Sequence, residues 1–210
     1  VDALRARIDA DPSFPRDTAS LPRPGTGAPP DGDALTYETL FRRIGGRLDP
    51  AAVVCCDLGV GMFLGIQLRL ARENGFIAQA DWASLGFAAP CALGVALAEG
   101  CPVVAVCGDG SFQMTAQTLS TYAQQRVKAL IVVIDNGTYA LEQAFTGLEA
   151  FTYDRGTGTY EAPFDPYNLL TRWDYAGLAR SLGLAAARVG TPEALDAALA
   201  EAAACGGPYL

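Results

Sequence analysis

Histidine is absent from all 210 residues. Without an imidazole there is no Ser-His-Asp or Cys-His catalysis and none of the usual zinc sites. Acid–base work therefore falls to carboxylates, to a cofactor or to another chain. The six cysteines, Cys55, Cys56, Cys91, Cys101, Cys107 and Cys205, form no CxxC pair. Most sit in apolar runs, where free cysteine behaves as a small core residue. That usage implies a reducing, cytoplasmic compartment. No apolar run is long enough to span a bilayer, and the start lacks the charged-then-apolar layout of a signal peptide, so no membrane partner is expected. Basic residues are scarce, 15 against 23 Asp and Glu, and unclustered. The resulting net charge of −8 argues against a nucleic-acid surface, which needs grouped Lys and Arg.

What is present is apolar: 50% of residues are hydrophobic, enough for a sizeable core, and 23 Gly with 13 Pro foretell many tight turns. The length allows one large domain, or one domain plus a linker. Residues 1–34 hold a short helical start, Ala3 to Asp9, and a Pro/Gly-rich stretch from Pro12 to Gly32, the composition of a linker arriving from a preceding domain. Residues 35–210 read as the domain. The chain opens on Val1 and closes on Pro208-Tyr209-Leu210, where a strand pattern is starting, so it reads as a piece of a longer polypeptide.

From Leu35 onward, short β-branched runs alternate with helical segments. Helices are expected at Thr36–Leu48, Gly61–Leu70, Ser84–Glu99, Thr115–Gln125, Tyr175–Leu182 and Glu193–Ala204. Strands are expected at Ala52–Cys56, Phe76–Gln79, Val103–Cys107, Ala129–Ile134 and Ala185–Val189. This alternation predicts an α/β fold, a mostly parallel sheet with helices on both faces. Ligands of such sheets bind at the carboxyl ends of the strands, here the loops after Cys56, Gln79, Cys107 and Ile134. The long irregular segment Leu148–Arg172 reads as a lid, an interface element or partly disordered chain.

Gly108-Asp109-Gly110-Ser111 stands directly after a strand and before a helix. Its glycines let the backbone approach a ligand, its N–H groups suit a phosphate, and Asp109 offers a hard oxygen to Mg²⁺. Alone, the stretch reads more readily as a plain Asp-Gly turn with Ser111 as a helix cap. One helix and one strand later comes Asp135-Asn136-Gly137-Thr138-Tyr139, which delivers a second loop to the same sheet edge. The Asn136 amide oxygen and a nearby carbonyl suit the same Mg²⁺.

This pairing resembles the fingerprint of thiamine-diphosphate-dependent enzymes, Gly-Asp-Gly followed by one βα unit and Asn. It is most similar to the 2-oxo acid decarboxylases, over about residues 35–210, the family's C-terminal diphosphate-binding domain. The resemblance implies a thiamine-diphosphate-binding fold with thiamine diphosphate and Mg²⁺ as cofactors. It implies that Asp109, the Asn136 side chain and the Thr138 carbonyl hold the metal. Gly59, Gly108, Gly110, Ser111 and Tyr139 join the cofactor-contacting set. In Gln79-Ala80-Asp81-Trp82-Ala83-Ser84-Leu85 it implies a wedge, Leu85, that bends the cofactor, with Ser84 beside it and the Ala83 carbonyl accepting from the aminopyrimidine. Glu142, six positions after Asn136, falls where the decarboxylases place a proton-relaying Glu; its plain alternative is a solvated helix residue. The Asn-Gly-Thr-Tyr stretch is also similar to benzoylformate decarboxylase, a branch without that Glu.

The implied activity is non-oxidative decarboxylation of a 2-oxo acid. The Glu that such enzymes need at the pyrimidine lies on an N-terminal pyrimidine-binding domain, normally of the other subunit of a homo-oligomer such as a dimer. The fragment alone is therefore expected to be inactive. Val60 departs from the pattern by replacing a hydroxyl residue near the phosphates. Gly59-x-Gly61 before a helix also imitates a dinucleotide fingerprint, although its third glycine, Gly65, falls one position late. An acetolactate-synthase-like carboligase and a non-catalytic cofactor-binding domain remain as alternatives.

Overall fold

A computed structural model describes residues 35–154 and 159–210. The expected linker, residues 1–34, and its short helix lie outside the described residues.

Strands β1 (Val53–Cys56), β2 (Phe76–Ala78), β3 (Val103–Gly108) and β4 (Ala129–Ile134) form one parallel sheet in the order β2-β1-β3-β4. Beyond β4 the sheet continues as single parallel bridges, Leu130 to Tyr209 and Tyr209 to Ala185. Side chains alternate between the two faces. Val53, Cys55, Val103, Ala105 and Cys107 enter one core, whereas Val54, Cys56, Val104 and Val106 enter the other. Both faces are covered, which explains why the strands read as unbroken apolar runs.

On the first face lie α3 (Ala88–Glu99), α4 (Asp109–Thr115), α5 (Thr118–Gln125) and α7 (Tyr175–Ser181). Helix α3 presents only small residues, Ala88, Ala89, Ala92 and Ala96, alongside Leu93. On the second face, α1 (Tyr37–Gly45) buries Leu40, Phe41 and Ile44, and α8 (Pro192–Ala204) buries Leu195 and Leu199. Arg43 and Arg47 of the α1 region both pair with Asp196 of α8. Thr36 and Thr191 cap these two helices by accepting the N–H three residues on. Two short helices, α2 (Val60–Gly65) and α6 (Ala140–Thr146), follow β1 and β4.

Several expected elements differ, and the helices expected at Thr36–Leu48 and Gly61–Leu70 end early, at Gly45 and Gly65. Helix α3 starts at Ala88 rather than Ser84, because Ala83 and Gly86 adopt positive φ, +53° and +80°. Its cap comes from another loop: Asp57 Oδ1 accepts from Phe87 N and Ala88 N. The helix expected from Thr115 starts at Asp109 and breaks at Ala116–Gln117, where tighter i+3 bonds intervene. The turn around Asp109 is thus itself helical. The strand expected at Ala185–Val189 is represented by one bridge, Ala185 to Tyr209, with Leu210 N donating to Ala185 O and Ala187 N to Leu210 O. Segment 148–172 contains two 3₁₀ turns, Glu149–Phe151 and Pro166–Asn168, and a ribbon of β5 (Tyr153–Asp154) with β6 (Thr159–Tyr160).

All six cysteines are free. Burial pushes the Cys56 thiol up to about 12 and holds Cys107 well above its usual range. These thiols are core hydrophobes, not nucleophiles.

Candidate active site

The connection from β1 runs outward to β2, while the next strand, β3, lies on the other side of β1. At such a reversal the loops at the carboxyl ends diverge and leave a crevice. Here it measures about 70 Å³ and is walled by the loops after all four strands and by Tyr37 of α1. Gly59 comes from the β1 loop, Leu85 from the β2 loop, and Gly108, Asp109, Gly110 and Ser111 from the β3 loop. Asn136, Thr138, Tyr139 and Glu142 come from β4. Ala83 and Ser84 do not reach the wall: both are exposed, in a turn with Trp82, which is 84% exposed.

Asp109 is the centre of this wall. Its carboxylate is buried, with Oδ1 accepting from Gly110 N at 2.9 Å and Oδ2 from Gly137 N at 2.6 Å. The second bond joins the β3 loop to the β4 loop. Burial raises the Asp109 pKa, the two backbone donors lower it, and the charge of Asp135 raises it. The outcome is upward: the site holds a carboxylate short of positive charge. Asn136 is exposed; its Oδ1 accepts from Thr138 N and Oγ1, and its Nδ2 donates to Tyr37 Oη at 3.1 Å. No hydrogen bond occupies the Thr138 carbonyl among the described residues. An acid oxygen, an amide oxygen and a backbone carbonyl are therefore brought to one crevice.

Other bonds stitch the remaining loops. Ser111 Oγ accepts from Gly86 N at 2.7 Å, and Thr115 Oγ1 donates to Gly86 O at 3.2 Å. The Ser111 hydroxyl proton has no acceptor among the described residues, so it is free for a ligand oxygen. Asp57 ties the β1 loop to α3 through Oδ1; its buried Oδ2 has no hydrogen-bond partner among the described residues. Gly59 adopts φ +131° with open space where a side chain would stand. Val60 follows it, 39% exposed, and supplies no hydroxyl.

A side chain at Gly110 would force its neighbours aside. A Cβ there would meet the Tyr139 ring and would lie 2.9 Å from Leu170 Cδ1. The second half of segment 148–172 thus backs the site instead of hanging over it. Tyr139 N donates to Asn168 O, Leu170 N to Gly137 O, and Arg172 reaches Asp135 Oδ1 and Asn136 O, both at 3.1 Å. Glu142 is half-buried on the crevice wall, and no hydrogen bond or ion pair holds its carboxylate among the described residues.

A larger hollow of about 490 Å³ lies beside the outer edge of β4, under α1 and α8. Its floor is aliphatic, with charge only at the rim in Asp135, Asp174, Arg172 and Arg188. The loops after β1, β2 and β3 do not reach it, so chemistry is assigned to the smaller crevice.

Sequence reasoning missed Tyr37, Gln143 and Arg172. Tyr37 meets Asn136 from 99 positions away, and no local pattern signals that contact.

A family model described as thiamine pyrophosphate enzyme, C-terminal TPP binding domain, matches residues 59–210. The alpha-keto-acid decarboxylase of Mycobacterium leprae (strain TN) is 33% identical over 184 residues, 86% of this chain and 30% of that protein. That of Mycobacterium avium (strain 104) is 34% identical over 175 residues, 80% of this chain and 28% of that one. The chain spans under a third of the length of these curated relatives. The solved structure of the thiamine diphosphate-dependent 4-hydroxybenzoylformate decarboxylase of Rhodococcus jostii RHA1 superposes with a TM-score of 0.72 at 25% identity. The match covers 88% of this chain and 33% of that one.

Proposed function

Because the chain belongs to the thiamine pyrophosphate enzymes, as their C-terminal TPP binding domain, we propose that it is the diphosphate-holding part of a non-oxidative 2-oxo acid decarboxylase. The name shared by its mycobacterial relatives supports the reaction class. The observation that carries the site is the 2.6 Å bond from Gly137 N to Asp109 Oδ2, which clips the two fingerprint loops together.

Magnesium is the proposed ion, held by the Asp109 carboxylate, the Asn136 amide oxygen and the Thr138 carbonyl. The donors are all hard oxygens, as Mg²⁺ requires. Among the described residues no group of three His, Cys, Asp or Glu side chains is placed to hold a metal. The protein therefore offers one negative charge and two neutral oxygens, and leaves the rest of the shell to the diphosphate and water. The raised Asp109 pKa supports this reading, since a cation would relieve the charge that burial penalises. The Ser111 hydroxyl and the backbone at Gly108 and Gly110 would hold phosphate oxygens. Leu85, half-buried on the wall, would prop the cofactor into its bent form.

When bound, thiamine diphosphate supplies the electron sink for the pair left behind as CO₂ departs. Glu142 holds and moves a proton at the crevice wall. The pyrimidine end falls to an N-terminal domain of a second subunit in a homo-oligomer. The exposed Val60, Phe63 and Ile66 of the α2 segment support such a covering partner. Six free thiols support a cytoplasmic setting.

The test measures CO₂ release from pyruvate, phenylpyruvate, indolepyruvate and benzoylformate by the complete enzyme, with and without thiamine diphosphate and Mg²⁺. Dependent turnover of at least one acid is expected, and Glu142→Gln should slow it at least about tenfold. This chain alone should turn over none. Complete enzyme that releases no CO₂ from any 2-oxo acid would refute the assignment.

A further inference from the structure

We propose that Gln143 is a positioning residue that seats helix α6, and with it the Glu142 carboxylate, against the crevice. The inference rests on the reading of Glu142 given above.

Gln143 is only 3% exposed, although it lies on a seven-residue helix at the protein surface. Its carboxamide spends every contact on one distant turn. Oε1 accepts from Asp165 N at 2.7 Å and from Asn168 Nδ2 at 3.1 Å, while Nε2 donates to Asp165 Oδ2 at 3.2 Å. The same Oδ2 accepts from Thr146 Oγ1, one turn along the helix, and from Tyr167 Oη. Asn168, also 3% exposed, accepts at its carbonyl from Tyr139 N, where the helix begins. Both ends of α6 are thus moored to the 165–168 turn.

A helix this short has no stability of its own, and α6 lacks a side-chain cap. Its roll about its axis is therefore set by these tertiary bonds. Adjacent helical residues project about 100° apart. The roll that inserts Gln143 into the turn consequently fixes the direction of Glu142, which has no hydrogen bond or ion pair of its own among the described residues. Only a carboxamide suits the position, because the turn needs one group that both accepts twice and donates once. Leucine would orphan the Asp165 N–H and the Asn168 amide; glutamate would set a second carboxylate against Asp165.

The experiment is a double-mutant cycle in the complete enzyme, measuring kcat and KM for 2-oxo acid decarboxylation and the affinity for thiamine diphosphate. Gln143→Leu should lower kcat by roughly tenfold or more, as a misplaced group does, with cofactor affinity within about twofold. In the Glu142→Gln background the same change should have almost no further effect. Gln143→Glu should also lower kcat, and adding Asp165→Asn should restore it by returning one donor and one acceptor across the pair; this arm serves if the leucine variant does not fold. An equal kcat loss from Gln143→Leu in both backgrounds, or no rescue by Asp165→Asn, would overturn the inference and leave Glu142 untouched. A kcat indifferent to Glu142→Gln would overturn the reading of Glu142 and this inference with it.

Discussion

Replacing Asp109 by asparagine separates two jobs of one carboxylate. In the folded chain both oxygens are engaged, Oδ1 by Gly110 N at 2.9 Å and Oδ2 by Gly137 N at 2.6 Å. Asparagine keeps the shape but has one acceptor. Whichever way its amide turns, an NH₂ faces a backbone N–H and leaves that donor orphaned, which costs about 1–3 kcal/mol. Working against this, burial holds the wild-type carboxyl above its usual pKa, so removing the charge recovers part of a desolvation penalty. The two effects oppose, and the net change in stability should stay below about 3 kcal/mol. Metal binding has no such compensation. On the proposed reading it loses the anionic member of the Asp109, Asn136 and Thr138 set, and one charge–charge interaction near a protein surface is worth roughly 4 kcal/mol, so affinity should fall more than about a hundredfold.

Calorimetric titration of Mg²⁺ into the complete enzyme with thiamine diphosphate reads the second effect, and denaturant unfolding of the apoprotein between pH 4 and pH 8 reads the first. The folded pKa of Asp109 is raised, so between the unfolded and folded values the native state binds more protons. Apoprotein stability should therefore fall as pH rises through that window, a slope missing in Asp109→Asn. Mg²⁺ affinity should run the other way and weaken as pH drops through the raised value, because the proton competes. Metal binding by the variant within threefold of wild type would refute the reasoning.

Asp57→Asn keeps the Oδ1 acceptor and exchanges a buried carboxylate oxygen that has no hydrogen-bond partner among the described residues for a buried NH₂, so it should cost less in denaturant unfolding than Asp57→Ala. Asp57→Ala, which strands two N–H groups of α3, should cost about 1–3 kcal/mol. Gly110→Ala should destabilise by about 1–3 kcal/mol and weaken thiamine diphosphate binding measurably, since its Cβ displaces the Tyr139 ring and Leu170. Tyr122→Phe removes a buried hydroxyl that donates to Ala89 O at 2.7 Å; it should cost about 1 kcal/mol in unfolding while leaving cofactor affinity unchanged.

The parts of the fold legible in the sequence are those with a local cause. Strand β4 occupies Ala129–Ile134 as expected, because a strand buried on both faces must be apolar throughout. The Asp109 and Asn136 loops meet because one crossover separates them and parallel strands deliver both to the same edge. What escaped was set by distant contacts. The start of α3 depends on a cap from Asp57, some 30 positions earlier, and the anchoring of segment 148–172 depends on Gln143 and Arg172. The sequence marks that segment as irregular because its bonds run to another element, not to its own neighbours.

These distant contacts share a direction that bears on how the crevice works. Asp57 joins the β1 loop to the start of α3, Ser111 joins the β3 loop to the β2 loop, and Asp109 joins the β3 loop to the β4 loop. Arg172 and the 168–170 backbone then brace the β4 loop from behind. Each junction is a side chain gripping a backbone N–H or carbonyl, so the loops hold their spacing by bonds that do not involve a ligand. A site assembled this way has met its ordering cost during folding, and a bound group need only complete unfilled valences such as the Ser111 proton and the Thr138 carbonyl. It follows that substitutions at the junctions should weaken binding by loosening loops, even where the substituted atom never touches the cofactor.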